Sequence, residues 1–97
     1  MSVTIWKYPV SCTGDFVLEM PKGAQILTVQ TQGGEPQLWV LVDPDEKEMV
    51  RVRFLLLATG QPVEGTVKKF IGKWARVGTF QLEGGKLVFH LFLEGEV

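Results

Sequence analysis

Apolar and polar positions alternate along most of this chain with a period of two, the repeat of an extended strand with one wet face. The clearest departure is Leu38-Trp39-Val40-Leu41-Val42, five apolar residues in a row closed by Asp43-Pro44. Such a run is too short to repay helix nucleation and reads as a strand buried on both faces. It is expected to be the central strand of a small antiparallel sheet system.

Three further strands precede it. Ser2 to Val10 is β-branched and aromatic, and Pro9 near its end cannot donate to a ladder, so this strand belongs at an edge or stops pairing there. Asp15 to Met20 sets Phe16, Leu18 and Met20 on one face. In Gln25 to Gln32, Leu27, Val29 and Thr31 fall on one face and Ile26, Thr28, Gln30 and Gln32 on the other. Pro21-Lys22-Gly23 reads as a tight turn with proline at its second position, and Gly33-Gly34 as a two-residue hairpin loop.

After the charged loop Asp43-Pro44-Asp45-Glu46-Lys47, the segment Glu48 to Thr59 alternates first. Val50, Val52 and Phe54 oppose Arg51 and Arg53, and the strand then becomes continuous from Phe54 to Ala58. Thr59-Gly60-Gln61-Pro62 breaks it. Val63, Val67, Phe70, Ile71 and Trp74 follow at helical spacing, with Pro62 suited to a first helical position, so a short helix is predicted near 63–74, with an extra strand as the alternative. Gly65 and Gly72 oppose the helix at a cost of ~1 kcal/mol each. A hairpin ends the chain: Arg76 to Leu82, a turn at Glu83-Gly84-Gly85-Lys86, then Leu87 to Leu93.

Ninety-seven residues make a single domain, 1–97, and 45% hydrophobic with 22% charged residues places it among globular chains. A net charge of −1 gives no overall footprint for nucleic acid. Cys12 is the only cysteine and His90 the only histidine, which removes a disulfide framework and argues against a metal site. No cofactor signature is legible. The first residues lack the apolar core of a signal peptide and no apolar run approaches a membrane span, so a cytoplasmic location is expected.

The charge is unevenly spread. Lys68, Lys69, Lys73 and Arg76 put four cations into ten residues interleaved with Phe70 and Trp74, whereas the remainder holds six basic against eleven acidic residues. Cations with an aromatic among them suit a phosphate-bearing ligand. The same pattern also describes the wet face of an amphipathic element. Thr59, Gly60 and Gln61 bring a hydroxyl, a permissive backbone and an amide to the end of a buried strand, where a ligand can approach closely; a plain turn is the simpler reading. Arg51 and Arg53 read as the wet side of their strand. Asp43, Asp45 and Glu46 lack the spacing of a calcium loop. His90 has no orienting carboxylate or nucleophile in its sequence neighbourhood, and neither serine sits in a nucleophile elbow, so no catalytic residues are assigned and an enzyme is not expected.

Several stretches carry a resemblance: Thr4-Ile5-Trp6-Lys7-Tyr8-Pro9, Glu19-Met20-Pro21-Lys22-Gly23-Ala24, Ile26-Leu27-Thr28-Val29-Gln30 and Leu38 to Pro44. Later come Thr59-Gly60-Gln61-Pro62, Gly78-Thr79-Phe80-Gln81 and Leu87-Val88-Phe89-His90-Leu91-Phe92. With them the chain resembles a family of small proteins encoded by bacteriophages and prophages. It departs at Ala58 and Gln61, where that family would carry Gly and His. The resemblance implies an accessory protein that blunts host defences, gripping a host protein or sequestering a signalling nucleotide.

Together these readings give an all-β domain, a small antiparallel sandwich or open barrel of six to seven strands with one short helix. The expected function is non-enzymatic binding of an anionic small molecule by Thr59, Gly60, Gln61, Lys68, Lys69, Lys73, Trp74 and Arg76. The alternative is a protein–protein inhibitor or structural component. Ile5, Trp6, Lys7 and Tyr8 form an apolar edge expected to meet a host protein or another copy, since such an edge is either covered or paired.

Overall fold

The computed structural model describes residues 2–65 and 74–97. Among them are seven strands: β1 (Thr4–Pro9), β2 (Asp15–Pro21), β3 (Gln25–Gln32), β4 (Glu35–Val42), β5 (Met49–Ala58), β6 (Ala75–Leu82) and β7 (Leu87–Glu96). A 3-10 turn, Glu83–Gly85, joins the last two. The strands form two antiparallel sheets, ordered β1-β4-β3 and β2-β5-β7-β6, which do not close into a barrel. The all-β expectation holds, in its open-sandwich form. The helix predicted near 63–74 falls, over 66–73, outside the described residues.

One apolar cluster unites both sheets. Leu38, Val40 and Val42 of β4, Val29 of β3, Met20 of β2, Val52, Phe54 and Leu56 of β5, Phe80 of β6 and Leu91 of β7 are all buried in it. Phe54 stacks on Phe16 with ring centroids 5.3 Å apart, and Phe80 on Phe89 at 5.5 Å, spacings at which aromatic pairs attract beyond their area.

The sheets meet along β3 and β6. Thr31 Oγ1 donates to the Gln81 carbonyl at 2.7 Å, and Gly78 faces Val29 so closely that a Cβ there would lie 3.1 Å from Val29 Cγ1. A missing side chain on β6 is what lets β3 approach. On the opposite side of the sandwich the outer strands β1 and β2 are not paired with each other, which leaves that side open among the described residues.

Local chemistry accounts for the connections. Gly33 and Gly34 both take positive φ, +59° and +81°, between the paired residues Gln32 and Glu35, as a two-residue hairpin of type I′ requires. At the β2–β3 turn the Ala24 N–H donates to the Pro21 carbonyl, so proline occupies the first turn position and Lys22 the second, one place earlier than its φ preference suggested. Asp43 Oδ1 accepts the Asp45 N–H at 2.9 Å and its carbonyl accepts that of Glu46, which makes the acidic loop a self-bracing turn.

Two expectations about faces need correction. β4 is the centre of its sheet but is buried on one face: Leu38, Val40 and Val42 are fully covered, whereas Trp39 and Leu41 are half-buried. β5 likewise alternates to its end, with Leu55 and Leu57 half-buried beside buried Phe54 and Leu56. The other correction is in β3, where the register with β4 shifts between Ile26 and Thr28. This bulge ejects Leu27 to solvent and puts Ile26 and Val29 on the same inward face. The sequence alternation alone had paired Leu27 with Val29.

Candidate functional site

The site begins where β5 stops. Gln61 N–H donates to the Ala58 carbonyl, and the Gln61 side-chain oxygen accepts the Ala58 N–H at 3.0 Å, so residue 61 braces the turn from both sides. Gly60 sits at φ +87°, a backbone state that glycine enters cheaply. Thr59 N–H donates to the Val88 carbonyl at 2.9 Å and ties the turn to β7.

That tie delivers the Thr59 hydroxyl to His90. Thr59 Oγ1 lies 2.7 Å from His90 Nε2, and Thr79 Oγ1 lies 3.0 Å from Nδ1. Thr79 is the cross-strand partner of His90 on β6, and Leu57 is its partner on β5. A half-buried imidazole is therefore held between two hydroxyls. A neutral ring donates through one nitrogen and accepts through the other, so the chain Thr59–His90–Thr79 has a direction. In either tautomer the threonine that receives the ring N–H keeps its own proton for a further acceptor. When the ring is protonated it donates to both threonines, and both hydroxyl protons become available.

A cleft of about 350 Å³ opens beside this chain, lined by Arg76, Val77, Gly78, Thr79, His90, Leu91 and Phe92. Its volume falls within the range of small-molecule sites. It lies where the β6–β7 register shifts between Arg76 and Gly78, and the extra residue, Val77, re-aims the strand. Among the described residues the cleft's lining holds one cation and no carboxylate. A smaller cleft of about 200 Å³, lined by Ala24, Ile26, Val50, Val52 and Leu93 among others, has the Glu96 carboxylate as its charged group. An anion is therefore matched to the first cleft and repelled by the second.

Of the residues expected to bind a ligand, Thr59 bonds to His90, and Arg76 lines the cleft together with His90 and Thr79. Gly60 and Gln61 shape the turn behind it, and Trp74 is half-buried just before β6. Lys68, Lys69 and Lys73 lie outside the described residues. Thr79 and His90 are site residues that sequence reasoning did not assign to it. The terminal hairpin could have found the pair, because Leu82 faces Leu87 across the Gly84-Gly85 turn and counting back sets Thr79 against His90. Arg51 and Arg53 occupy the outer face of β5, where Arg53 Nε lies 3.8 Å from Glu94 Oε2. Among the described residues no group of His, Cys, Asp and Glu could hold a metal ion, and no helix is long and apolar enough to cross a membrane.

Cys12 is exposed in the β1–β2 connection, yet its thiol is pushed above the ordinary range, first by desolvation and then by the Glu35 carboxylate. The linked stability is therefore present below the unfolded thiol's pKa and lost as pH rises through the folded value. Alkylation of Cys12 near neutral pH is expected to run slower than that of a free cysteine peptide. A rate profile with an inflection at or below the peptide's contradicts this.

Taken together, these features define a small open β-sandwich with a basic, hydroxyl-lined cleft on its four-stranded sheet. The chain belongs to the family described as Domain of unknown function (DUF7352), whose match spans residues 1–97. No curated protein and no solved structure matches the chain.

Proposed function

We propose that this protein is a non-enzymatic binder of a small anionic ligand, held in the cleft between Arg76 and the Thr59–His90–Thr79 chain. The observation that carries this reading is the lining among the described residues: one guanidinium, an imidazole and the Thr79 hydroxyl, with no carboxylate, and Thr59 bonded to the far ring nitrogen. Guanidinium forks and hydroxyl donors suit phosphate oxygens. In either tautomer one threonine hydroxyl proton of the chain stays free for such an anion. Chemistry on a bound ligand has less support. The group that orients the imidazole is a hydroxyl, which does not stabilise an imidazolium as a carboxylate does.

The resemblance to phage and prophage proteins adds a setting to this reading. In a host cytoplasm, the ligand class is a phosphate-bearing signalling nucleotide, and sequestering it is the task.

Thermal stability against a panel of cyclic di- and trinucleotides, adenine dinucleotides and inorganic phosphate tests the proposal. A ligand present at a hundred times its dissociation constant adds ~2.7 kcal/mol, which is several degrees for a domain of this size. The expected result is a saturable shift that Arg76→Glu abolishes and His90→Phe reduces at least tenfold in affinity. A flat response across the panel, or a shift that both variants retain, overturns it.

A further inference from the structure

β1 is the outer strand of the three-stranded sheet, and its far edge has no partner strand among the described residues. The register decides which backbone groups lie there. Gln32 and Glu35 close a two-residue loop, so they form a hydrogen-bonded pair and Glu35 turns its polar groups towards β3. Alternation along β4 then turns Pro36, Leu38, Val40 and Val42 towards β1. The Val10 N–H donating to the Pro36 carbonyl at 3.2 Å agrees. Their partners Tyr8, Trp6 and Thr4 face back into the sheet, which leaves the N–H and C=O groups of Ile5 and Lys7 pointing outward. Pro9 is also outward, and its missing donor costs the β4 ladder nothing.

The side chains divide the same way. Trp6 and Tyr8 lie on the core-facing side with Val40 and Leu38. Tyr8 packs against the core, whereas Trp6, 38% exposed, stands at the open side of the sandwich. Ile5, 53% exposed, lies on the other face. β1 carries no carboxylate, and its one charge, Lys7, reaches across β4 to Gln32 Oε1 at 2.9 Å. The other outer strand, β2, is guarded by exposed Asp15 and Glu19, the usual protection of a sheet edge.

We infer that β1 pairs antiparallel with β1 of a second copy, about a twofold axis at Trp6, with Ile5 opposite Lys7 of that copy. The strand is self-complementary in this register. Each Ile5–Lys7 pair exchanges both of its backbone hydrogen bonds, and the two tryptophans meet at the non-hydrogen-bonded position, where side chains approach most closely. Sliding one way sets Lys7 against Lys7, a like-charge pair directly opposite. Sliding the other way sets Trp6 against Thr4 and forfeits the aromatic pair. The second copy extends the three-stranded sheet across the axis, and the paired Trp6 side chains cover the side that the sandwich leaves open.

Sedimentation tests the inference. The expected mass rises with concentration from 10.9 kDa towards twice that value. Lys7→Pro removes an outward N–H that β4 does not use, and is expected to keep the native circular dichroism while leaving only monomer. In a Cys12→Ser background, Trp6→Cys is expected to oxidise to a covalent dimer. Ile5→Cys in the same background stays monomeric, because diagonal positions lie beyond disulfide reach. A monomeric mass up to about 1 mM overturns the inference and leaves the edge to a strand of a different protein. A dimer that survives Lys7→Pro, or an Ile5→Cys crosslink without a Trp6→Cys one, overturns it too.

Discussion

Phe54→Ala is expected to lower the stability of this domain by about 3–5 kcal/mol, the range for deleting a buried aromatic. Phe54 is fully buried in β5, within the four-stranded sheet, and its ring stacks on Phe16 across the β2–β5 pair. Its removal loses the apolar transfer energy and leaves a hole that two strands cannot collapse without breaking their ladder. A domain of this size has a total stability of roughly 5–15 kcal/mol, so the variant sits close to unfolding. At about 4–8 °C per kcal/mol, thermal melts should show a fall in Tm of tens of degrees. Phe92→Ala, at a half-buried position on the outer face of the same sheet, should cost distinctly less. Equal losses at the two positions contradict the assignment of faces.

Gly78→Val is the second large effect, expected at about 1–3 kcal/mol from overpacking. Gly78 does not have a positive φ, so its reason for being glycine is space rather than backbone freedom. A Cβ would already press on Val29 Cγ1 at 3.1 Å, and valine's methyls fill the seam by which β6 holds β3. Gly78→Ala should cost less, and Val29→Ala should relieve it. A double-mutant cycle on these two positions is therefore expected to show coupling, as contacting residues do. Strict additivity means that the seam is not where the sheets bear on each other.

How far such features can be read in advance depends on their range along the chain. Residues close in sequence were legible. Gly33-Gly34 announced a hairpin, Phe16, Leu18 and Met20 announced an inward face, and Glu83 to Lys86 announced the final turn. Alternation failed at Leu27, because a bulge changes phase without leaving a compositional mark. The central run from Leu38 to Val42 looked doubly buried because apolar residues also serve on a half-covered outer face. At the candidate site, Thr59 and Arg76 stood out as a hydroxyl at a strand end and a cation in a basic stretch. The place of Arg76 beside His90 follows from the terminal hairpin, whereas that of Thr59 needed the β5–β7 pairing, which joins segments about thirty residues apart and which neither segment encodes alone.

The cleft reading is tested most directly by nuclear magnetic resonance of the isotope-labelled protein during a titration with the nucleotide giving the largest thermal shift. The account predicts saturable changes in the His90 ring nitrogens and in the backbone amides of Thr59, Arg76, Thr79 and Phe92, with Ala24, Ile26 and Val50 unmoved. Changes confined to the second cleft or to β1, with the His90 nitrogens unaltered, would contradict it.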